Sequence, residues 1–439
     1  MIMAGRYYIE TFGCQMNVHD SETIAGVLSA VGWEPARDAQ DADLVLLNTC
    51  SVRKKPHDKV YSRLGELRRL RQRRPGMLVG VCGCMAQIVP DDLRKRAPYV
   101  DLIVGTREYA SLPQLIAEAR NGGAASALDL EHEIPEGMPV RRANGVCAWV
   151  TAIYGCDNFC AYCVVPYARG RERSRRPEHV IAEVRQLANE GFREVTLLGQ
   201  NVNTYGRDLG DGVDFADLLT MANEVRGIER IRFTTSHPKD CSERLIQAMA
   251  TLPKVCEHLH LPVQSGDDAV LARMNRTYTA GPYVELVERV RAAVPGVAIT
   301  TDVMVGFPGE TEGAFRHTLD LFAHVRYDQA FMFKYNNRPG IAAAQMPDQV
   351  PEETKQERLL RLIELQNRIG REVNRALVGE DVEVLVEGPR RGHSGQLQGR
   401  TRTNKLTLFN GPTSLVGRLV TVRVEEGFVW GLKGQVEGG

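Results

Sequence analysis

No stretch of the 439 residues reaches the roughly 20 consecutive apolar residues that a membrane helix needs. The opening MIMAGRYYIE contains no charged segment leading into an apolar run, so the cytoplasm is the expected compartment and no membrane partner is expected. A charge surplus is missing too: 55 Lys and Arg balance 55 Asp and Glu, which leaves net charge silent about a polyanionic partner. Ten cysteines are present. In a reducing compartment they do not imply a disulfide framework, which leaves metal or redox work. With 43% hydrophobic and 25% charged residues, the chain is long enough for two or three separate cores.

Cys156, Cys160 and Cys163 in YGCDNFCAYC stand at CxxxCxxC spacing, directly after the apolar stretch Ala148 to Tyr154. Three thiolates are one too few for a closed tetrahedral zinc site or a fully ligated iron–sulfur cube. A site built on them leaves one metal corner open for a small molecule. The competing readings are a zinc knuckle completed by Cys147 and three buried thiols, although closely spaced loop cysteines suit core packing poorly. With an aromatic residue, Tyr162, just before the third cysteine, the spacing resembles the signature of the radical S-adenosylmethionine (SAM) enzymes. That resemblance implies a [4Fe–4S] cluster whose open iron takes the amino and carboxylate groups of SAM.

Residues 5–122 alternate short apolar strands with helical patterns. Strands are predicted at Arg6 to Thr11, Asp43 to Leu47, Met77 to Val81 and Val100 to Val104. Helices are predicted at Ser21 to Val31, His57 to Arg73, Asp91 to Arg96 and Glu108 to Arg120. This alternation predicts an α/β domain with an open parallel sheet covered by helices. Residues 123–144 have Gly, Pro and alternating charge but no sustained period, and are predicted to be a linker.

Residues 145–372 repeat the strand-then-helix unit six times. Strands are predicted at Ala148 to Tyr154, Glu194 to Leu198, Arg230 to Thr234, His258 to Pro262, Ala298 to Val303 and Gln329 to Lys334. Six units fall short of a complete barrel, so a partial (β/α)6 barrel is predicted, with function on the loops after its strands. A helix from Glu352 crosses to residues 375–437, where short strands between Gly, Pro and Asn turns, the last at Val429 to Gly431, predict a small five-stranded β-barrel.

Cys14 follows the first predicted strand, Cys50 the second and Cys84 the third. The carboxyl edge of an open α/β sheet gathers residues distant in sequence and binds ligands. These three are therefore candidates for a second three-thiolate site; ordinary buried cysteines are the alternative that their spacing leaves open. Cys82 and Cys84 would point to the same face of an extended segment. Cys84 is preferred because it occupies the strand-to-loop exit, which leaves Cys82 as a core thiol.

The loops after the barrel strands are polar. GQNVNTYG supplies Gln200, Asn201 and Asn203, TSHP supplies Ser236 and His237, and HLPVQSG supplies His260, Gln264 and Ser265. Amides, hydroxyls and turns around one mouth suit a zwitterionic, ribose-bearing ligand such as SAM. Ser236, His237 and Ser265 equally suit helix caps and turns. Gln200, Ser236 and Gln264, together with Tyr162, are the candidate cofactor contacts. Positive charge is local: ten basic residues against two acids from Arg53 to Arg74, five arginines from Arg169 to Arg176, and five basic residues from Arg390 to Lys405. Each run suits a solvated face, but three in separate regions predict an RNA phosphate footprint, with Arg169, Arg171 and Arg173 as candidate contacts. The basic loop of the small barrel is a further candidate for RNA, with a purely structural cap as the alternative.

FGCQMN around Cys14, NTCSVR around Cys50, GCMAQ around Cys84, YGCDNFCAYCVVPYARGRERSR, LLGQNVN, HLPVQSG and DVMVGFPGET together resemble the methylthiotransferases of the radical SAM superfamily, across all three blocks. The likeness is greatest to the branch acting on isopentenyladenosine in tRNA. It implies a methylthiotransferase N-terminal domain over 5–122, a radical SAM core over 145–372 and a C-terminal TRAM domain for RNA over 375–437. It further implies two [4Fe–4S] clusters, an auxiliary one on Cys14, Cys50 and Cys84 and a SAM-binding one on Cys156, Cys160 and Cys163, facing each other across the substrate. The implied partners are SAM, a tRNA carrying isopentenyladenosine next to the anticodon, and a reducing electron donor; a monomer is expected. The chain departs from the family pattern at Cys82, Pro56 and Ile341. Related branches act on threonylcarbamoyladenosine in tRNA or on an aspartate of a ribosomal protein. From another class, a non-catalytic zinc-holding RNA-binding protein is the alternative.

Overall fold

The computed structural model describes residues 5–50, 54–142, 145–338 and 340–437, with the backbone alone over 54–58. Arg53, the side chain of Pro56 and the last two residues of the predicted linker lie outside the described residues.

In the N-terminal domain, β1 (Arg6–Phe12), β2 (Glu34–Pro35), β3 (Leu44–Thr49), β4 (Leu78–Gly83), β5 (Leu102–Val104) and β6 (Ala125–Ala127) form one parallel sheet in the order β2-β1-β3-β4-β5-β6. Strands buried on both faces become continuous apolar runs, and LVLL in β3 shows the consequence. Leu44 and Leu46 pack with α1 (Gln15–Ala30), while Val45 and Leu47 pack on the other face with α2 (Lys54–Arg73), α3 (Cys84–Ile88) and α4 (Pro90–Arg96). α5 (Leu112–Arg120) joins α1 on its face. Each fully buried Leu or Val contributes roughly 1.5–3 kcal/mol. β6 falls inside the predicted linker: three small residues on a sheet edge give no alternation to detect. α1 begins six residues before the predicted start, because Cys14 and Asn17 form a reciprocal cap there.

The central domain holds β7 (Cys147–Thr151), β8 (Ile153–Tyr154), β9 (Arg173–Ser174), β10 (Glu194–Leu198), β11 (Arg230–Thr234), β12 (His258–His260), β13 (Ala298–Val305) and β14 (Gln329–Lys334). Six of these are parallel and form two halves of a partial barrel, β11-β10-β7 and β12-β13-β14, with an Ile231–Val255 bridge at the seam. The predicted strand Ala148 to Tyr154 is broken at Ala152; its end pairs antiparallel with β9 instead. The helices are α6 (Val165–Arg169), α7 (Pro177–Asn189), α8 (Phe215–Asn223), α9 (Glu243–Thr251), α10 (Asp268–Arg273), α11 (Ala280–Ala293), α12 (Glu312–Val325) and α13 (Glu352–Arg375). Their apolar faces, such as Val180 and Val184 of α7 and Phe322 of α12, close one core over Val150, Leu197, Phe233, Leu259 and Ile299.

β15 (Asp381–Pro389), β16 (Gln396–Thr401), β17 (Leu406–Asn410), β18 (Leu419–Gly427) and β19 (Gly431–Val436) close a five-stranded barrel in the order β15-β16-β17-β19-β18. The last strand lies beyond the predicted Val429 to Gly431. Gly434 in that strand lets β18 approach, since a Cβ there would meet the Arg423 carbonyl oxygen at 2.1 Å. The barrel is joined to the amino edge of the core. Arg230 donates to the Arg400 and Glu383 carbonyls, Arg232 to those of Arg402 and Thr401, and Arg402 and Lys405 pair with Glu257 and Asp328. The predicted RNA role of this basic loop therefore fails for Arg402 and Lys405, whose charges are turned into the interface by Glu257 and Asp328; Arg400 pairs with Glu387 and stays half-exposed. Among the described residues no helix is long and apolar enough to cross a membrane.

Candidate active site

β1, β3 and β4 are neighbours in the sheet, so their carboxyl ends lie side by side at strand spacings of ~4.8 Å. Cys14 caps α1 after β1, Cys50 follows β3, and Cys84 opens α3 after β4. Gly83 makes the last turn with φ +87, and a Cβ there would meet Asn48 Oδ1 at 2.5 Å and the Thr49 carbonyl oxygen at 2.8 Å. This turn ends the extended run and separates two thiols of similar sequence context. Cys82 is fully buried with Leu44, Leu46 and Leu102, whereas Cys84 leads the helix at the edge. Two asparagines without a predicted role tie these ends together. Asn17 Oδ1 accepts from the Cys14 N–H (3.3 Å) and Sγ (3.4 Å), and its amide donates to Asn48 Oδ1 and the Thr49 carbonyl. Asn48 donates to the Asn17 carbonyl at 2.8 Å.

This sheet edge docks on the central domain beside the CxxxCxxC loop. Thr106 Oγ1 donates to the Ala168 carbonyl at 2.7 Å, and the Arg107 guanidinium donates to the Arg169 and Arg171 carbonyls. Arg169, expected at an RNA phosphate, is instead buried and paired with Asp20 of α1 at 2.6 Å. Burial raises the Cys84 thiol's pKa, and the adjacent Arg169 guanidinium pulls it the other way. Arg169 thus joins two domains at the thiol edge and is not available to RNA.

The contiguous triad is held by backbone bonds from four directions. The Cys156 N–H donates to the Gly170 carbonyl, the Cys163 N–H to Cys160, the Ala161 N–H to Met274, and the Ala343 N–H to Ala161. Burial pushes Cys156 up to about 11 and, with Cys160 beside it, Cys163 up to about 12, so metal binding here releases protons. Tyr162 turns into the protein: Arg276 donates to its hydroxyl at 2.8 Å and its ring meets Phe307 edge-on. Its side chain positions the loop.

Around the strand ends of the same domain, polar atoms are buried without partners. Both amide atoms of Gln200 and of Asn203, Oδ1 of Asn201 and Oγ of Ser236 are in this state. Leaving such groups unmatched costs roughly 1–3 kcal/mol each, so they fit a polar ligand. Gln264 is buried at φ +66, with its N–H on the Asp302 carbonyl and its own carbonyl accepting from Met304. His237 and Ser265 act as caps, accepting from the N–H groups of Lys239 and Asp267.

The segments that carry the two triads meet. Arg338, missed in the sequence although it lies in NNRPG, stands within electrostatic reach of both Cys50 and Cys163. Ile88 of α3 packs with Ala161, Val164, Tyr335 and Ile341, joining the two cysteine-bearing segments in one apolar cluster. Among the described residues no three His, Cys, Asp or Glu side chains converge as one metal ion requires. A [4Fe–4S] cube takes one thiolate per iron, and three sulfurs on separate chain turns are a donor set for it. Cys147 opens β7 opposite Glu194, about 30 Å of extended chain from Cys156, so it does not complete a zinc knuckle.

A partial β/α barrel with a three-cysteine loop at its mouth, a thiol-edged parallel sheet and a closed five-stranded barrel define a radical SAM enzyme with an RNA-binding module. Three family models match: the uncharacterized protein family UPF0004 over residues 6–105, the radical SAM superfamily over 150–322 and the TRAM domain over 375–436. The chain is 51% identical over 432 residues to the tRNA-2-methylthio-N(6)-dimethylallyladenosine synthase of Carboxydothermus hydrogenoformans, covering 98% of each protein. It is 52% identical over 437 residues to the same-named protein of Moorella thermoacetica, covering 99% of this chain and 98% of the relative. The chain belongs to the tRNA-2-methylthio-N(6)-dimethylallyladenosine synthase family. In fold it is similar to the radical SAM methyltransferase TsrM from Kitasatospora setae, with a TM-score of 0.57 at 16% identity over 77% of this chain and 75% of that one.

Proposed function

We propose that the chain is a radical SAM methyltransferase of sulfur, a tRNA methylthiotransferase that replaces the hydrogen on carbon 2 of isopentenyladenosine next to the anticodon with a methylthio group. The observation that carries this reading is the apolar cluster in which Ile88 of α3, the helix that Cys84 opens, joins Ala161 and Val164 of the CxxxCxxC segment and so brings the two cysteine-bearing segments together. Carbon 2 of an adenine has no acidic proton and no leaving group, so acid and base side chains cannot do the work. Two [4Fe–4S] clusters and SAM supply, when bound, the one-electron chemistry that this carbon–hydrogen bond requires.

The chain's own residues bind, orient and exclude water. Cys156, Cys160 and Cys163 hold the SAM cluster; Cys14, Cys50 and Cys84 hold the auxiliary one. Gln200, Asn203 and Ser236 offer their unmatched amide and hydroxyl atoms to SAM, Gln264 lies on the same rim, and Tyr162 braces the loop. Arg171 and Arg173, both solvent-exposed in part, meet RNA phosphates. The reading requires a reducing electron donor, and the chain acts as a monomer. Anaerobic incubation of the reconstituted enzyme with SAM, a reductant and tRNA from cells lacking the modification, followed by nucleoside mass spectrometry, tests it. 2-Methylthio-isopentenyladenosine is expected; product on threonylcarbamoyladenosine, or none on tRNA, would reject the substrate.

A further inference from the structure

We propose that Phe159 and Tyr167 form a base-stacking platform on the rim of the chamber, whose ligand is an unpaired nucleobase flanking the modified adenosine. The inference rests on the tRNA reading above. Phe159 lies between Cys156 and Cys160, and Tyr167 lies on α6, which the same loop leads into. Their rings meet edge-on with centroids 6.1 Å apart, yet Phe159 is 41% and Tyr167 51% exposed.

Phe159 is held outward at a cost. Its φ of +45 lies in the left-handed region, which strains a bulky side chain. The conformation is fixed by Asn275, whose amide donates to the Phe159 carbonyl at 3.0 Å and that of Asn158 at 3.4 Å. The same turn that sets Cys160 leaves the paired rings of Phe159 and Tyr167 facing water, and an exposed aromatic pair points to a partner.

Charge on the rim identifies that partner. Arg171 stands 5.9 Å over the Phe159 ring and is bound to Asp157 at 2.7 and 3.0 Å, and Arg173 pairs with Glu131 at 3.5 Å; both guanidinium groups stay partly exposed, so each can exchange its surface carboxylate for a phosphate. Exposed aromatics beside guanidinium groups recognise single-stranded nucleic acid: bases stack on the rings while the cations meet the adjacent phosphates. An anticodon loop supplies such bases, and the target adenine must leave its neighbours to enter the chamber.

The test uses the full-length, anaerobically reconstituted protein and a fluorescent anticodon stem-loop carrying isopentenyladenosine, titrated by anisotropy at several salt concentrations. Tyr167→Leu is expected to weaken binding roughly tenfold at every salt concentration, with an unchanged slope of log affinity against log salt. Iron and sulfide content stays at the wild-type level. Phe159→Leu behaves alike, and a probe closed into a continuous duplex binds wild type and variants equally. Equal stem-loop affinity of wild type and both variants overturns the platform and leaves a protein as the occupant of the rim. A changed salt slope for Tyr167→Leu also overturns it, since the lost contact is then a phosphate contact. A wild type that does not bind the stem-loop strikes the tRNA reading itself.

Discussion

Cys156, Cys160 and Cys163 are placed by one short loop pinned by backbone bonds to its own domain, whereas Cys14, Cys50 and Cys84 are gathered from three strand ends. The contiguous triad needs little beyond its loop and the barrel mouth. The assembled triad needs the whole parallel sheet, the Asn17–Asn48 bonds and the docked interface through Arg169 and Asp20. Damage to the docking interface should therefore harm one site and spare the other.

The largest contrast comes from removing one ligand of each set. Cys160→Ala is expected to abolish formation of 5′-deoxyadenosine from SAM, while Cys50→Ala retains it and loses the methylthio product. In either variant, anaerobic iron analysis should fall from about eight to about four irons per chain. Retained SAM cleavage in Cys160→Ala, or retained product in Cys50→Ala, breaks the comparison.

A second way to sharpen it is Arg169→Met. The substitution leaves the Asp20 carboxylate buried without its partner, which costs about 3–5 kcal/mol. Chemical denaturation should show that loss. SAM cleavage should outlast methylthio transfer in the same variant, because the pair joins α1 of the assembled triad to the core, whereas the contiguous triad meets this spot through the Gly170 carbonyl alone.

The smallest expected effect is set by pH at the same interface. His19 of α1 is buried against Thr151, and burial lowers its pKa to about 4 from an ordinary value of 6.5. The undocked or unfolded form therefore takes up a proton below about pH 6.5 while the native form does not. The contribution is intact above that pH and is lost as pH falls toward 4, by about 3 kcal/mol in total. Thermal unfolding between pH 7 and 5 should follow this fall in the wild type and lose part of it in His19→Gln. A variant with an undiminished pH slope would remove His19 from the account.

Much of the architecture was legible because period and punctuation are local. Glu194–Leu198, Arg230–Thr234, Gln329–Lys334 and the helix predicted at Asp91 to Arg96 stand where their alternation or 3.6-residue period puts them. Cys82 is a core thiol, as the place of Cys84 at the strand-to-loop exit implied. What the sequence could not show is pairing over distance. Arg169 stands in a run of arginines that looks like a phosphate footprint, and only the fold brings Asp20 to it. Arg402 and Lys405 likewise show no nearby acid along the chain, since Glu257 and Asp328 come from the amino edge of the core. Asn17, Asn48, Arg338 and the outward ring of Phe159 were hidden for the same reason: their significance lies in what faces them.

The buried guanidinium–carbonyl seam of Arg230 and Arg232 has a mechanical outcome. The small barrel is bolted to the floor of the core through the starting ends of its strands, on the side away from the cysteine loop. Such a mount couples the two modules, so a load on the small barrel is carried into the strands of the core.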